Sequence, residues 1–72
     1  MDKPVISVDP DIQSGVPVFA GTRAPIQNLF DYLEEGYSLE VFLDQFPSVS
    51  REMAVAVLEQ ARIGLMSNAH PA

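Results

Sequence analysis

Arg23 is the side chain best equipped for recognition in this chain. It follows Gly21-Thr22 and precedes Ala24-Pro25, so a guanidinium with five fixed donors stands at a corner leading into a helix, a geometry suited to bidentate binding of a carboxylate. The expected partner is internal, Asp9 or Asp11, because acids flank the opposing extended segment and a turn with few core contacts needs an anchor. The functional alternative has Arg23 reaching the acidic active site of a partner protein. Thr22 has no neighbouring base to make it a nucleophile and reads as a local cap. Asp31, Glu34, Glu35, Glu40 and Asp44 fall on the polar sides of two amphipathic helices without an Asp-x-Asp-x-Asp-Gly pattern, so they read as a solvated face rather than a metal site. His70, the only histidine, stands beside Pro71 near the end of the sequence, where nothing holds its geometry. Phosphate loops, dinucleotide fingerprints, nucleophile elbows and zinc spacings are missing from the sequence. The reading therefore assigns no catalytic residue, no metal and no cofactor, and expects a protein that is not an enzyme.

The elements that would position these groups follow from turn chemistry and apolar spacing. Val5 to Val8 and Val16 to Phe19 are β-prone runs separated by Asp9-Pro10-Asp11-Ile12-Gln13-Ser14-Gly15, which predicts a short hairpin or an extended arm. Gly15, Pro17, Gly21 and Pro25 then reverse the chain and aim a helix. A first helix is expected from Pro25 to Glu35, with Pro25 at its first position and Ile26, Leu29, Phe30 and Leu33 on one stripe. Gly36 ends it. Ser38 caps a second helix in which Leu39, Phe42, Leu43 and Phe46 repeat the spacing until Pro47. Ser50 caps a third, Arg51 to about Met66, with Glu52 complementing its positive end. In that helix Met53, Ala54, Val57, Leu58, Ala61 and Leu65 fill one face of roughly 140°. Val55, Ala56, Ile63 and Met66 fall on the opposite side, a second apolar patch that calls for a symmetry mate or another protein.

The expected fold is mostly α: a three-helix, helix-turn-helix-like (homeodomain-like) bundle with a short N-terminal β-hairpin or extended arm. The single domain 1–72 divides into an arm (1–24), a three-helix unit (25–66) and a flexible tail (67–72). Seventy-two residues bury only about 60% of the unfolded surface, so the core is marginal without a staple or a partner. Cysteine is absent, which leaves oligomerisation as the route to extra stability and a reducing cytoplasm as the expected location. Met1-Asp2-Lys3-Pro4 does not open a signal sequence, and no run approaches the apolar length of a membrane span. Ten acidic residues against four basic ones give a formal charge of −6, the wrong sign for holding phosphates and the right one for a basic protein partner.

In order along the chain, Ile6-Ser7-Val8-Asp9-Pro10, Gly15-Val16-Pro17, Gly21-Thr22-Arg23, Gly36, Phe46-Pro47 and the Ala-rich run from Arg51 resemble the domain of unknown function 433 group of small bacterial antitoxin-like proteins. The resemblance covers nearly the whole chain. It implies a helix-turn-helix-like fold and, for many members, pairing with a nuclease-like (PIN-like) toxin in a type II toxin-antitoxin system. Many antitoxins carry a long tail that wraps the toxin, and this sequence departs from that plan by ending soon after its third helix.

The function expected on these grounds is an antitoxin-like homodimer. Its partner or dimer contacts would be Val55, Ile63, Met66 and Tyr32, with Gly21, Thr22 and Arg23 as a structural corner or partner contact. The alternatives are a helix-turn-helix transcriptional regulator and a solitary structural dimer. At the N-terminal end of the third helix, linked to the second by Pro47-Ser48-Val49-Ser50, Arg51 is the one residue able to read a guanine, and the charge disfavours DNA binding by this chain alone and leaves DNA reachable through a basic partner.

Overall fold

Turn chemistry at both ends of a short ladder folds the first third of the chain. The computed structural model describes residues 4–68, in which β1 (Ile6–Ser7) pairs antiparallel with β2 (Val18–Phe19), Ile6 opposite Phe19 and Ser7 opposite Val18. These strands are shorter than the β-prone runs that contain them. The intervening turn is held by the Asp9 side chain, which accepts from the Asp11 amide at 2.9 Å, and by the Ile12 amide donating to the Asp9 carbonyl at 2.8 Å. Gln13, Ser14 and Gly15 then run through a left-handed turn with φ of 51°, 57° and 86°.

The chain next doubles back on β2. At Gly21 φ is +77°, and the Thr22 amide and hydroxyl both donate to the Phe19 carbonyl, at 3.0 and 2.8 Å. The same hydroxyl accepts from the Ala24 amide at 3.0 Å. Residues 24–26 thereby lie beside β2: the Phe19 amide donates to Ala24, the Ile26 amide donates to Pro17, and Val18 bridges to Pro25. The corner expected at Gly21-Thr22-Arg23 is a hydrogen-bonded reversal that delivers the first helix against the hairpin.

Three helices follow. α1 (Ile26–Glu34) begins one residue later than expected, because Pro25 is its extended N-cap (φ −63°, ψ 139°) rather than its first helical residue. It ends in a Schellman arrangement, with the Gly36 amide donating to Leu33 and the Tyr37 amide to Tyr32. α2 (Leu39–Gln45) is capped by the Ser38 hydroxyl, which accepts from the Val41 amide at 3.2 Å. α3 (Arg51–Asn68) is capped by the Ser50 hydroxyl, which accepts from the Met53 amide at 3.1 Å. The architecture is the mostly α, three-helix unit with an N-terminal hairpin that the sequence predicts.

Gly36 and Gly64 allow a paired test of these ends. Each has open space where a Cβ would go, but Gly36 has φ of +92° while Gly64 sits inside α3. Gly36→Ala is expected to cost about 1–2 kcal/mol through left-handed strain alone. Gly64→Ala is expected to gain about 0.5–1 kcal/mol of helix propensity. Urea unfolding checks both signs; a neutral Gly36→Ala would contradict the Schellman assignment.

The core joins the layers at β2. Phe19, Leu29, Phe42, Val49, Ala54 and Val57 are buried together, and Ile6, Phe30, Leu33, Leu43, Met53 and Leu58 pack against them. On α3 the core ends at Leu58. The helix continues for ten more residues, about 15 Å at 1.5 Å per residue. Leu65, expected on the core face, is 68% exposed: its direction is as the periodicity predicts, but the body of the protein stops before reaching it. The expected tail from residue 67 is likewise corrected, since Ser67 and Asn68 are helical; residues 69–72, including His70, lie outside the described residues. The overhang is visible in the dimensions, a radius of gyration of 13.1 Å and extents of 41 × 29 × 25 Å, against about 11 Å for a compact chain of this length.

Candidate functional site

Two concavities and one projecting helix end are the surface features that could hold a partner. The larger concavity is an open apolar groove of about 630 Å³ between the hairpin and the start of α1. Ile6 and Val16 come from the hairpin, Pro17 and Pro25 from the two arms of the reversal, and Ile26 and Phe30 from one stripe of α1. None of its lining residues is charged. The groove follows directly from the corner, since the bonds from Phe19 to Ala24 and from Ile26 to Pro17 fix the distance between its walls.

Arg23 lines the second concavity, a more polar cleft of about 450 Å³ shared with Gln13, Asn28, Gln45 and Ser48. The pairing with Asp9 or Asp11 is not formed. The two ion pairs among the described residues are Arg51 with Glu40 and Arg62 with Glu59. The reason lies in the turn: the Asp9 carboxylate is taken by the Asp11 amide two residues away, so it faces its own loop. What anchors this corner is the Gln13 side-chain amide, which donates to the Arg23 carbonyl at 3.1 Å, together with Thr22. The guanidinium of Arg23 is thus left exposed in an amide-lined cleft with no acid in its wall.

The residues singled out as partner contacts divide. Tyr32 is half-buried and its ring is engaged inside the chain, 5.4 Å from Tyr37 and 5.7 Å from each of Phe42 and Phe46 between centroids. It belongs to the aromatic cluster beneath α2 rather than to a free rim. Val55, Ile63 and Met66 are exposed, and at 100° per residue they fall within about 80° of one another on the outer side of α3. Leu65, on the other side of the same overhang, joins them.

Arg51, the candidate base reader, has its guanidinium paired with Glu40 across the α2–α3 link. Farther along α3, Arg62 binds Glu59 through two hydrogen bonds of 3.0 and 3.2 Å. The hydrogen bond and charge of Arg62 hold the Glu59 carboxyl below its usual range and raise Arg62 in turn. A depressed carboxylate favours the helix above the ordinary carboxylate pKa and loses that contribution as pH falls through its own; with both side chains in solvent the effect is small. The result is a locally neutral pair within an acidic protein.

The groove is what the sequence reading missed. Its walls come from residues eight and more apart in the chain, and the available signal was the pairing of Val16-Pro17 with Pro25-Ile26 on either side of the reversal. Among the described residues there is no group of three or more His, Cys, Asp or Glu able to hold a metal, and no helix long and apolar enough to cross a membrane.

The uncharacterized protein y4eO of Sinorhizobium fredii is 35% identical over 48 residues, covering 67% of this chain and 22% of that protein. The chain therefore spans about a fifth of the length of the curated relative it matches. No solved structure matches it. Residues 6–61, from the first strand through the packed part of α3, match the family described as "Protein of unknown function (DUF433)", and the chain belongs to that family.

Proposed function

We propose that this chain is a protein-binding module, the antitoxin-like member of a bacterial type II toxin-antitoxin pair, which as a homodimer covers a nuclease-like (PIN-like) partner. Its task is binding rather than catalysis, carried out in the cytoplasm. The observation that carries the reading is the overhang of α3, where Ile63, Leu65 and Met66 are 53%, 68% and 65% exposed beyond the core. A soluble surface does not keep three large apolar side chains on two sides of one helix end without protein to cover them, and in the proposed homodimer that cover is the second copy. The charge of −6 suits a basic partner and speeds its approach. The exposed Arg23 cleft supplies a further contact for a carboxylate on that partner.

Autonomous DNA reading draws no comparable support, since a charge of −6 opposes a phosphate backbone and the guanidinium of Arg51 pairs with Glu40. Co-expression with the product of the reading frame that neighbours this gene tests the proposal. The expected result is a stable complex on purification, and relief of growth arrest caused by that neighbour alone. A neighbour that is not toxic, or that passes through purification unbound, overturns the antitoxin reading.

A further inference from the structure

We infer that the projecting end of α3 from one copy of this chain seats in the apolar groove of a second copy, and that the contact is reciprocal. This inference rests on the homodimer proposed above and names its surfaces. Three observations lead to it.

First, the chain carries both halves of the contact, and no described segment fills the one or covers the other: a groove walled by Ile6, Val16, Pro17, Pro25, Ile26 and Phe30, several of which back onto the core, and a helix end bearing Ile63, Leu65 and Met66. Second, these side chains do not share one face. At 100° per residue Leu65 points about 120° or more away from Ile63, so packing α3 flat against another helix covers one of them and leaves the other wet. Insertion into a concavity covers both. Third, the electrostatics single out these surfaces. Two copies of a chain with a charge of −6 repel, but the groove lining has no charged residue and the Glu59–Arg62 pair neutralises the helix end. Copies that meet there avoid placing carboxylate against carboxylate.

Reciprocity closes the assembly. One copy offers one helix end and one groove, so a two-fold dimer makes the same contact twice and leaves no open site, whereas a one-way contact would build larger rings or filaments. Doubling the contact is also how a protein of this size reaches the buried area that stable dimers need.

The absence of cysteine from the chain makes the test clean. Val16→Cys in the groove and Ile63→Cys on the helix end, both at exposed positions, are purified separately, mixed and oxidised. Val8→Cys, exposed and not among the groove residues, is the control partner for Ile63→Cys. The expected product is the mixed 16–63 disulfide, formed at least roughly tenfold faster than the 8–63 product, because docking raises the local thiol concentration toward the mM range. Sedimentation of the wild-type chain is run alongside. A dimer whose main product is 63–63, or whose mixed product matches the control, overturns groove docking and leaves the homodimer standing. A wild-type chain that sediments as a monomer at every concentration overturns both.

Discussion

Phe42→Ala is expected to remove a large share of this protein's stability. The side chain is fully buried and lies at the meeting point of the aromatic cluster, with centroids 4.8 Å from Phe46, 5.7 Å from Tyr32 and 5.9 Å from Phe19. Removing a buried phenyl costs about 3–5 kcal/mol, part lost transfer energy and part unfilled cavity. A domain of 72 residues has about 4–11 kcal/mol in total. The loss is therefore a large share of the margin and equals it at the lower end of that range. Phe42→Leu keeps most of the volume and should cost under about 1.5 kcal/mol. Circular dichroism with urea titration separates the two. A Phe42→Ala protein with an unchanged urea midpoint would mean that α2 does not hold the hairpin and α1 together, and the positioning of the groove described above would lose its basis.

The helices were legible in the sequence because their signals are local. Ser38 and Ser50 cap the helices that follow them, and Gly36 takes the left-handed value that ends α1. The apolar spacing of Ile26, Leu29, Phe30 and Leu33 predicts which side of α1 faces inward, and the burial of Ile26 and Leu29 follows it. Periodicity gives direction but not distance. It put Leu65 on the inner face of α3, where it does point, and could not say that the neighbouring elements end near Leu58. Arg23 failed for a related reason. That Asp9 and Asp11 flank the opposing extended segment says nothing about which way a carboxylate turns, and Oδ1 of Asp9 accepts from the Asp11 amide of its own turn. Gln13 and Ser14 in left-handed backbone were equally hidden, because that conformation is imposed by the return of the chain to β2 rather than preferred by either residue. The groove depends on all of these tertiary facts together, so no short stretch announces it.

Ile63→Asp with Met66→Asp is expected to convert a homodimer into monomers without unfolding them. Both positions are more than half exposed and lie beyond the part of α3 that touches the core, so neither aspartate enters the interior of its own subunit, and the cost there is confined to about 1–2 kcal/mol at the end of α3, where carboxylates oppose the helix dipole. In a dimer the same carboxylates would be carried into an apolar contact, where each loses hydration at a cost of several kcal/mol. At 1.4 kcal/mol per factor of ten, the pair should weaken association by roughly a thousandfold or more. Sedimentation velocity over a wide protein concentration range reads the association directly. Thermal unfolding gives an independent reading, since a dimer melts higher as concentration rises and a monomer does not. The wild type should show that dependence and the double variant should lose it while keeping its helical circular dichroism. If the variant still sediments as a dimer, the overhang of α3 is not what joins two copies, and the exposed apolar end has to be explained by a different partner.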